Sequence, residues 1–287
     1  MARRGDGDGP GAAGPERDGP FEQAARALDE GDPEGAADRA RHGARAARKA
    51  GDADLQADCL WLEGLALDDL GRADEALARL DEALALSPGH LDAALARGHA
   101  LFELCRFDEA RTLLQALERD LPDEPQRHHL LGLLAERRGD RREAERRLAR
   151  ATALDPEGFP RPVTVGRAEF EGLVEAALEE LPDKVRAYLA NVVITVEDLP
   201  ADEDLRASDP PLSPGSLGLF RGAPWGQKGS ADPWSHLPSA IVIYQRNLER
   251  TVGSREELVE EVRITLLHEV LHFLGLDEEE LAERGLD

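Results

Sequence analysis

The sequence predicts a chain of two halves of different class, an all-α repeat solenoid followed by a small α+β domain. Two observations carry that division. Through the N-terminal half, Gly64, Gly98 and Gly132 recur at 34-residue intervals, a period that belongs to stacked helical hairpins. Near the C-terminus, His268-Glu269-Val270-Leu271-His272 sits within an apolar helical stripe. Two histidines four residues apart lie on one helix face and can reach a single metal. A third observation, the net charge of −24, constrains partners rather than fold.

Residues 1–20 are rich in Gly, Pro, Asp and Arg. Such a stretch cannot bury enough apolar surface to fold alone and is expected to form a disordered tail. Arg3 and Arg4 are followed by no apolar stretch, so no secretory leader is expected. No run approaches the roughly 18 apolar residues of a membrane span.

Residues 21–159 hold the repeats. Ala76, Ala110 and Ala144 keep the period of the glycines, as do Leu80, Leu114 and Leu148, and Pro88, Pro122 and Pro156. Glycine in a first helix and alanine early in a second let paired helices approach closely, and the proline is expected to end each second helix. This is the tetratricopeptide pattern. A weaker repeat precedes these, with Ala24 in the place of the glycine and Ala36 in the place of the alanine. There about six extra residues are expected to lengthen the connection near Gly51. Four hairpins can bury a continuous core by stacking, and the concave face of such a solenoid is expected to bind clients or a protein partner. His128 and His129 fall on a predicted first helix without acidic or cysteine neighbours in metal spacing, and read as surface or packing residues. Cys59 and Cys105 also lack metal spacing, and read as the reduced small hydrophobes of a cytoplasmic protein.

Residues 160–166 read as a linker and 167–287 as the second domain. Its signals are a helix over 169–178, strands over 191–198, 216–222 and 241–244, and a long helix over 255–274. Ser254 and Glu257 make a capping box for that last helix, and Gly275 stops it. Glu269, beside the first histidine, is placed to act on water rather than to ligate. Zinc lowers the pKa of a bound water to about 7, where a carboxylate can take its proton. In HExxHxxGxx(H/D/E) enzymes the third ligand stands ten residues after the first histidine, here Glu278, with Asp277 as the alternative. A carboxylate there leaves a fourth position open. The acidic run 277–280 equally suits the first turn of a short last helix.

These features together make residues 167–287 resemble the bacterial zincin-like metallopeptidases with a minimal, matrix-metalloprotease-like domain. The resemblance rests on the opening helix from Glu169 to Leu178, the strand from Asn191 to Asp198, Leu217 to Gly222, Ile241 to Tyr244, and the metal helix. Members carry Asp or Glu at the position of Glu278. It implies peptide-bond hydrolysis with one Zn2+ per chain, held by His268, His272 and Glu278, with Glu269 as catalytic base. It also implies an edge strand that binds an extended substrate by strand addition. Gly218, Leu219 and Phe220 are the candidates for that contact, since glycine permits close backbone approach; they suit a plain core strand as well. Residues 223–238, with Trp225, Trp234 and His236, read as a long irregular loop. His236 is either a donor near the metal or a solvent-facing residue. The methionine turn of larger metzincins is excluded, because Met1 is the only methionine and twelve residues follow Gly275.

From Val163 onward, 25 acidic residues stand against 11 basic ones. Such a surface repels phosphate backbones and anionic membranes, which excludes nucleic acid and membrane from the expected partners. A peptide or protein substrate remains. The alternative class is a repeat-protein adaptor with a structural or inactive zincin domain. Ligation by Asp277 and Glu278 together would close the site in that way, whereas the intact Glu269 speaks for turnover.

Overall fold

The computed structural model describes residues 19–222 and 239–276. Residues 1–18, 223–238 and 277–287, where the sequence predicts a tail, a long loop and the third ligand, lie outside the described residues. The chain forms two compact units, one up to Arg97 and one from Gly98 onward.

The first unit holds α1 (Pro20–Asp29), α2 (Pro33–Ala50), α3 (Ala53–Asp69), α4 (Ala73–Leu86) and the start of α5 (Leu91–Glu103). Asp32 and Asp52 cap α2 and α3 by accepting from the backbone N–H of Gly35 and Leu55. Alanine dominates the α1–α2 seam: Ala24, Ala36 and Ala40 are fully buried, so helix backbones approach where larger side chains would hold them apart. The extra residues of this repeat do not lengthen its connection, contrary to the sequence reading. Gly51, in the left-handed region at φ 76°, ends α2 at once, and the insertion is absorbed as helix in α2 and α3.

In the second unit the repeats continue with α6 (Phe107–Ala116), α7 (Pro125–Arg137) and α8 (Arg141–Leu154). A Cβ at Gly98 would lie 2.7 Å from Leu114, and one at Gly132 the same distance from Leu148. The periodic glycines are therefore sites of helix contact. One proline does not act as expected. α4 and α8 run almost to Pro88 and Pro156, but α6 stops at Ala116, well before Pro122. The buried Arg127 serves the turn that follows α6. Its guanidinium donates to the carbonyls of Leu121 at 2.8 Å and Pro122 at 3.1 Å, satisfying groups that an unwound turn leaves without helical partners. His128 and His129 are packing residues. His128 Nε2 lies 2.9 Å from the Pro122 carbonyl oxygen, and the His129 ring sits 4.8 Å from that of Phe159.

The rest of this unit is α9 (Arg167–Glu180), α10 (Asp183–Tyr188), β1 (Val193–Glu197), α11 (Asp202–Leu205), β2 (Gly218–Arg221), β3 (Ala240–Tyr244), α12 (Gln245–Thr251) and α13 (Arg255–Leu274). The described sheet has the order β1-β3-β2, with β3 parallel to β1 and antiparallel to β2. Ile241 and Ile243 of β3 pack with Phe170 and Val174 of α9 and with Leu258, Val262, Leu266, Val270 and Phe273 of α13. Burying a side chain of this size contributes about 1.5–3 kcal/mol, so this face fixes α13 against the sheet. Residues 163–165 are pinned to α12: Val163 N–H donates to the Glu249 carbonyl and Val165 N–H to the Glu249 carboxylate. The repeats of this unit also grip the segment before β2. Arg137 donates to the Pro200 carbonyl and to Asp202, and Arg206 donates to the Cys105 carbonyl; the repeats also hold α12, where Arg250 pairs with Glu136. An all-α repeat array and a small α+β part are thus both present.

Candidate active site

The site is built on the last turns of α13. Ser254 Oγ accepts from Glu257 N–H and starts the helix. The Glu257 carboxylate accepts from Gly253 N–H, one residue before the position a capping box would use. Leu258, Val262, Leu266, Val270 and Phe273 face the core, which leaves His268 and His272 on the flank and half-buried.

Gly275 closes α13 at φ 99°. The left-handed residue turns the chain so that Leu276 N–H donates to the Leu271 carbonyl and the Leu276 carbonyl returns to 3.0 Å from His272 Nδ1. That carbonyl can only accept, so Nδ1 carries the proton and Nε2 presents a lone pair. His272 Nε2 lies 2.9 Å from His268 Nε2. Two nitrogens on one tetrahedral zinc at about 2.0–2.1 Å would stand about 3.3 Å apart. The pair therefore fits a shared zinc with a small outward shift, and the Leu276 carbonyl is the orienting group that a ligating histidine needs. Among the described residues, no group of three metal-ligating side chains converges. Glu278 and Asp277, the expected third ligands, lie outside the described residues, as do Trp225, Trp234 and His236.

Glu269 is 7 % exposed and points toward β2. A Cβ at Gly218 would meet Glu269 Cγ and Oε1, both at 2.8 Å, so only glycine leaves room for the carboxylate. Phe220 and Phe273 pack edge to face at 5.8 Å and hold β2 on the helix. Tyr244 N–H donates to the Leu217 carbonyl, which makes 217/244, 219/242 and 221/240 the hydrogen-bonded pairs of this antiparallel ladder. The backbone N–H and C=O of Gly218 and Phe220 therefore point away from β3, along the outer edge of the described sheet. Leu219 bonds inward to Val242. Asn247, which no spacing in the sequence singled out, donates to the carbonyls of Pro214 at 2.9 Å and Ser216 at 2.7 Å and fixes the approach to β2.

The HExxH helix against a small sheet, following helical hairpins in the chain, defines a repeat protein with a zincin-type domain. Residues 189–286 match the family model for zincin-like metallopeptidases, and residues 69–135 match a tetratricopeptide-repeat model. The chain carries both. Among solved structures it is similar to MamA from Desulfovibrio magneticus RS-1, at 23% identity over 58% of this chain and 87% of that one, with a TM-score of 0.40. YrrB, described as a tetratricopeptide-repeat protein with an unusual peptide-binding site, matches at 19% identity over 48% of this chain and 68% of that one, with a TM-score of 0.38. No curated protein matches the chain. No helix among the described residues is long and apolar enough to cross a membrane.

Proposed function

We propose that the chain is a zinc-dependent metallopeptidase, with residues 167–287 as the catalytic domain and the repeats of 21–159 as the part that binds clients or partners. One observation carries this reading: two histidine Nε2 atoms converge to 2.9 Å beside a buried glutamate that faces an edge strand. His268 and His272 would hold zinc through those nitrogens, with Glu278, or alternatively Asp277, as third ligand. Bound zinc supplies Lewis acidity for the scissile carbonyl and for water. Glu269 takes a proton from water at its carboxylate and returns it to the leaving amine nitrogen. An extended peptide beside β2 exchanges backbone hydrogen bonds with Gly218 and Phe220, which brings its scissile bond next to Glu269. The buried, free Cys59 and Cys105 support a cytoplasmic protein, and the charge of −24 argues against nucleic acid as a partner.

The test combines metal content with turnover. Wild-type protein is expected to hold about one zinc per chain, and His268→Ala none. Glu269→Gln should keep its zinc and lose about 10²- to 10⁴-fold in hydrolysis of a peptide library. Undiminished hydrolysis by Glu269→Gln would sink the mechanism. Zinc content after single substitution of Glu278 and Asp277 assigns the third ligand.

A further inference from the structure

The repeat end of the second unit carries a cavity of about 420 Å³ whose lining contradicts the charge of the chain. Five arginines line it (Arg106, Arg111, Arg137, Arg138 and Arg206), around the ring of Phe107. Asp108, Glu109 and Asp202 are the acidic residues of the lining, so cations outnumber anions here in a protein of net charge −24. Arg106 is held by Glu109, and Arg111 by Asp108.

The chemistry this cavity accepts is visible in what already touches it. Asp202, from the acidic stretch Asp202-Glu203-Asp204, places its carboxylate 2.8 Å from Arg137 and 3.5 Å from Arg206. The Arg137 side chain is 8 % exposed and stacks on Phe107 at 4.5 Å, which fixes the plane of its donors. Its Nε is buried and has no hydrogen-bond partner, although a guanidinium in such a place normally satisfies all its donors. Arg138 is exposed and has no ion pair among the described residues.

We propose that this cavity is a binding site for the carboxylates of an acidic peptide segment on a partner protein, with Asp202 as its resident intramolecular occupant. Arginine forks bind carboxylates with directed, charge-assisted hydrogen bonds; the exposed Arg138 offers them directly to a second chain, and Arg137 and Arg206 offer theirs once Asp202 is displaced. A partner that displaces Asp202 removes one of the contacts that hold the segment leading into β2. This assignment names the partner chemistry for the role given to the repeats above. It is read by binding alone, so a failure of the peptidase reading leaves it standing.

Fluorescence anisotropy of a labelled hexaglutamate peptide with the full chain, at low salt, tests it. Saturable binding to wild type is expected, about tenfold tighter binding to Asp202→Asn because the internal competitor is gone, and at least a tenfold loss in Arg138→Glu. Arg45→Glu, a charge reversal in the first unit, should bind as wild type does. Absence of binding to both wild type and Asp202→Asn would overturn the proposal. So would equal loss in Arg45→Glu and Arg138→Glu, which marks a diffuse charge effect. Inorganic phosphate that displaces the peptide at equimolar concentration would show a small-oxyanion pocket and overturn the peptide assignment.

Discussion

The glycines of the repeats and the glycine of the site face the same steric problem and use it for different ends. A Cβ added at Gly64, Gly98 or Gly132 would meet a leucine at 2.7 Å across a helical hairpin, always sixteen positions further along the chain. A Cβ added at Gly218 would meet Glu269 at 2.8 Å, from a strand to a helix fifty-one positions away. In the repeats one short-range contact is made three times, and losing one leaves the others intact. At the site the contact is made once, and it sets where the Glu269 carboxylate, the proposed base, can point. Close approach serves stability in the first region and positioning in the second.

The sharpest way to separate the two roles is to add a methyl group in each region. Gly218→Ala is expected to push the Glu269 carboxylate aside, because its Cβ would also stand 3.0 Å from Thr265. Displacing a catalytic group by about 1 Å can reduce turnover about 10²-fold. Zinc content should stay near wild type, while the melting temperature falls modestly, since the buried side chains of both Glu269 and Thr265 must yield. Full activity in Gly218→Ala would remove Gly218 from the site and leave β2 as a plain core strand.

That difference in range also explains what was legible in the sequence. The hairpins could be read because each contact repeats, and α13 because Ser254, its apolar stripe and Gly275 are all local signals. β1, β2 and β3 stand where the residue patterns place strands. Nothing local announces that β2 enters at the edge beside β3, or that Gly218 faces Glu269. Arg127 satisfies carbonyls of the turn after α6, and it looks like any helical arginine in the sequence. Arg137 and Asp202 meet across 65 positions, a distance over which charge patterning carries no information.

A change of pH probes the repeat region without mutation. Burial, then the charges of Arg250 and His99, push His129 from its usual 6.5 down to about 4. Above 6.5 the ring is neutral in both folded and unfolded chains. Between 6.5 and about 4 the unfolded chain takes up a proton that the folded chain refuses, so stability falls as pH falls through that window. The loss is about 2–3 kcal/mol after allowing for partial exposure of the ring. Urea unfolding across the window should show this slope, and His129→Gln should flatten it. An unchanged slope in the variant would assign the acid sensitivity to other groups. A smaller effect is expected from Gly132→Ala. The added Cβ meets Leu148 side-chain atoms at 2.7 and 2.8 Å and its backbone nitrogen at 3.2 Å. Overpacking of about 1–3 kcal/mol is offset by the roughly 1 kcal/mol gain in helix propensity, giving a net loss of about 1 kcal/mol in thermal or urea unfolding and no change in zinc content.

The smallest effect tests a place where the repeats themselves depart from their pattern. Gly71 and Gly139 turn the chain between paired helices at φ 69° and 76°, and the same turn of the third repeat is made by Cys105 at φ 56°. A side chain in the left-handed region carries about 1–2 kcal/mol of strain. What offsets it is specific to this repeat: Cys105 is 3 % exposed, and its Sγ lies 3.6 Å from the Leu212 carbonyl oxygen, on the segment that leads to β2. Cys105→Ala keeps the strain and loses that contact, whereas Cys105→Gly loses both. The glycine variant should therefore unfold about 1 kcal/mol later than the alanine variant, with wild type within about 1 kcal/mol of the glycine form. Were alanine the more stable of the two, the turn would not be strained at Cys105, and its cysteine would be there for the Leu212 contact alone.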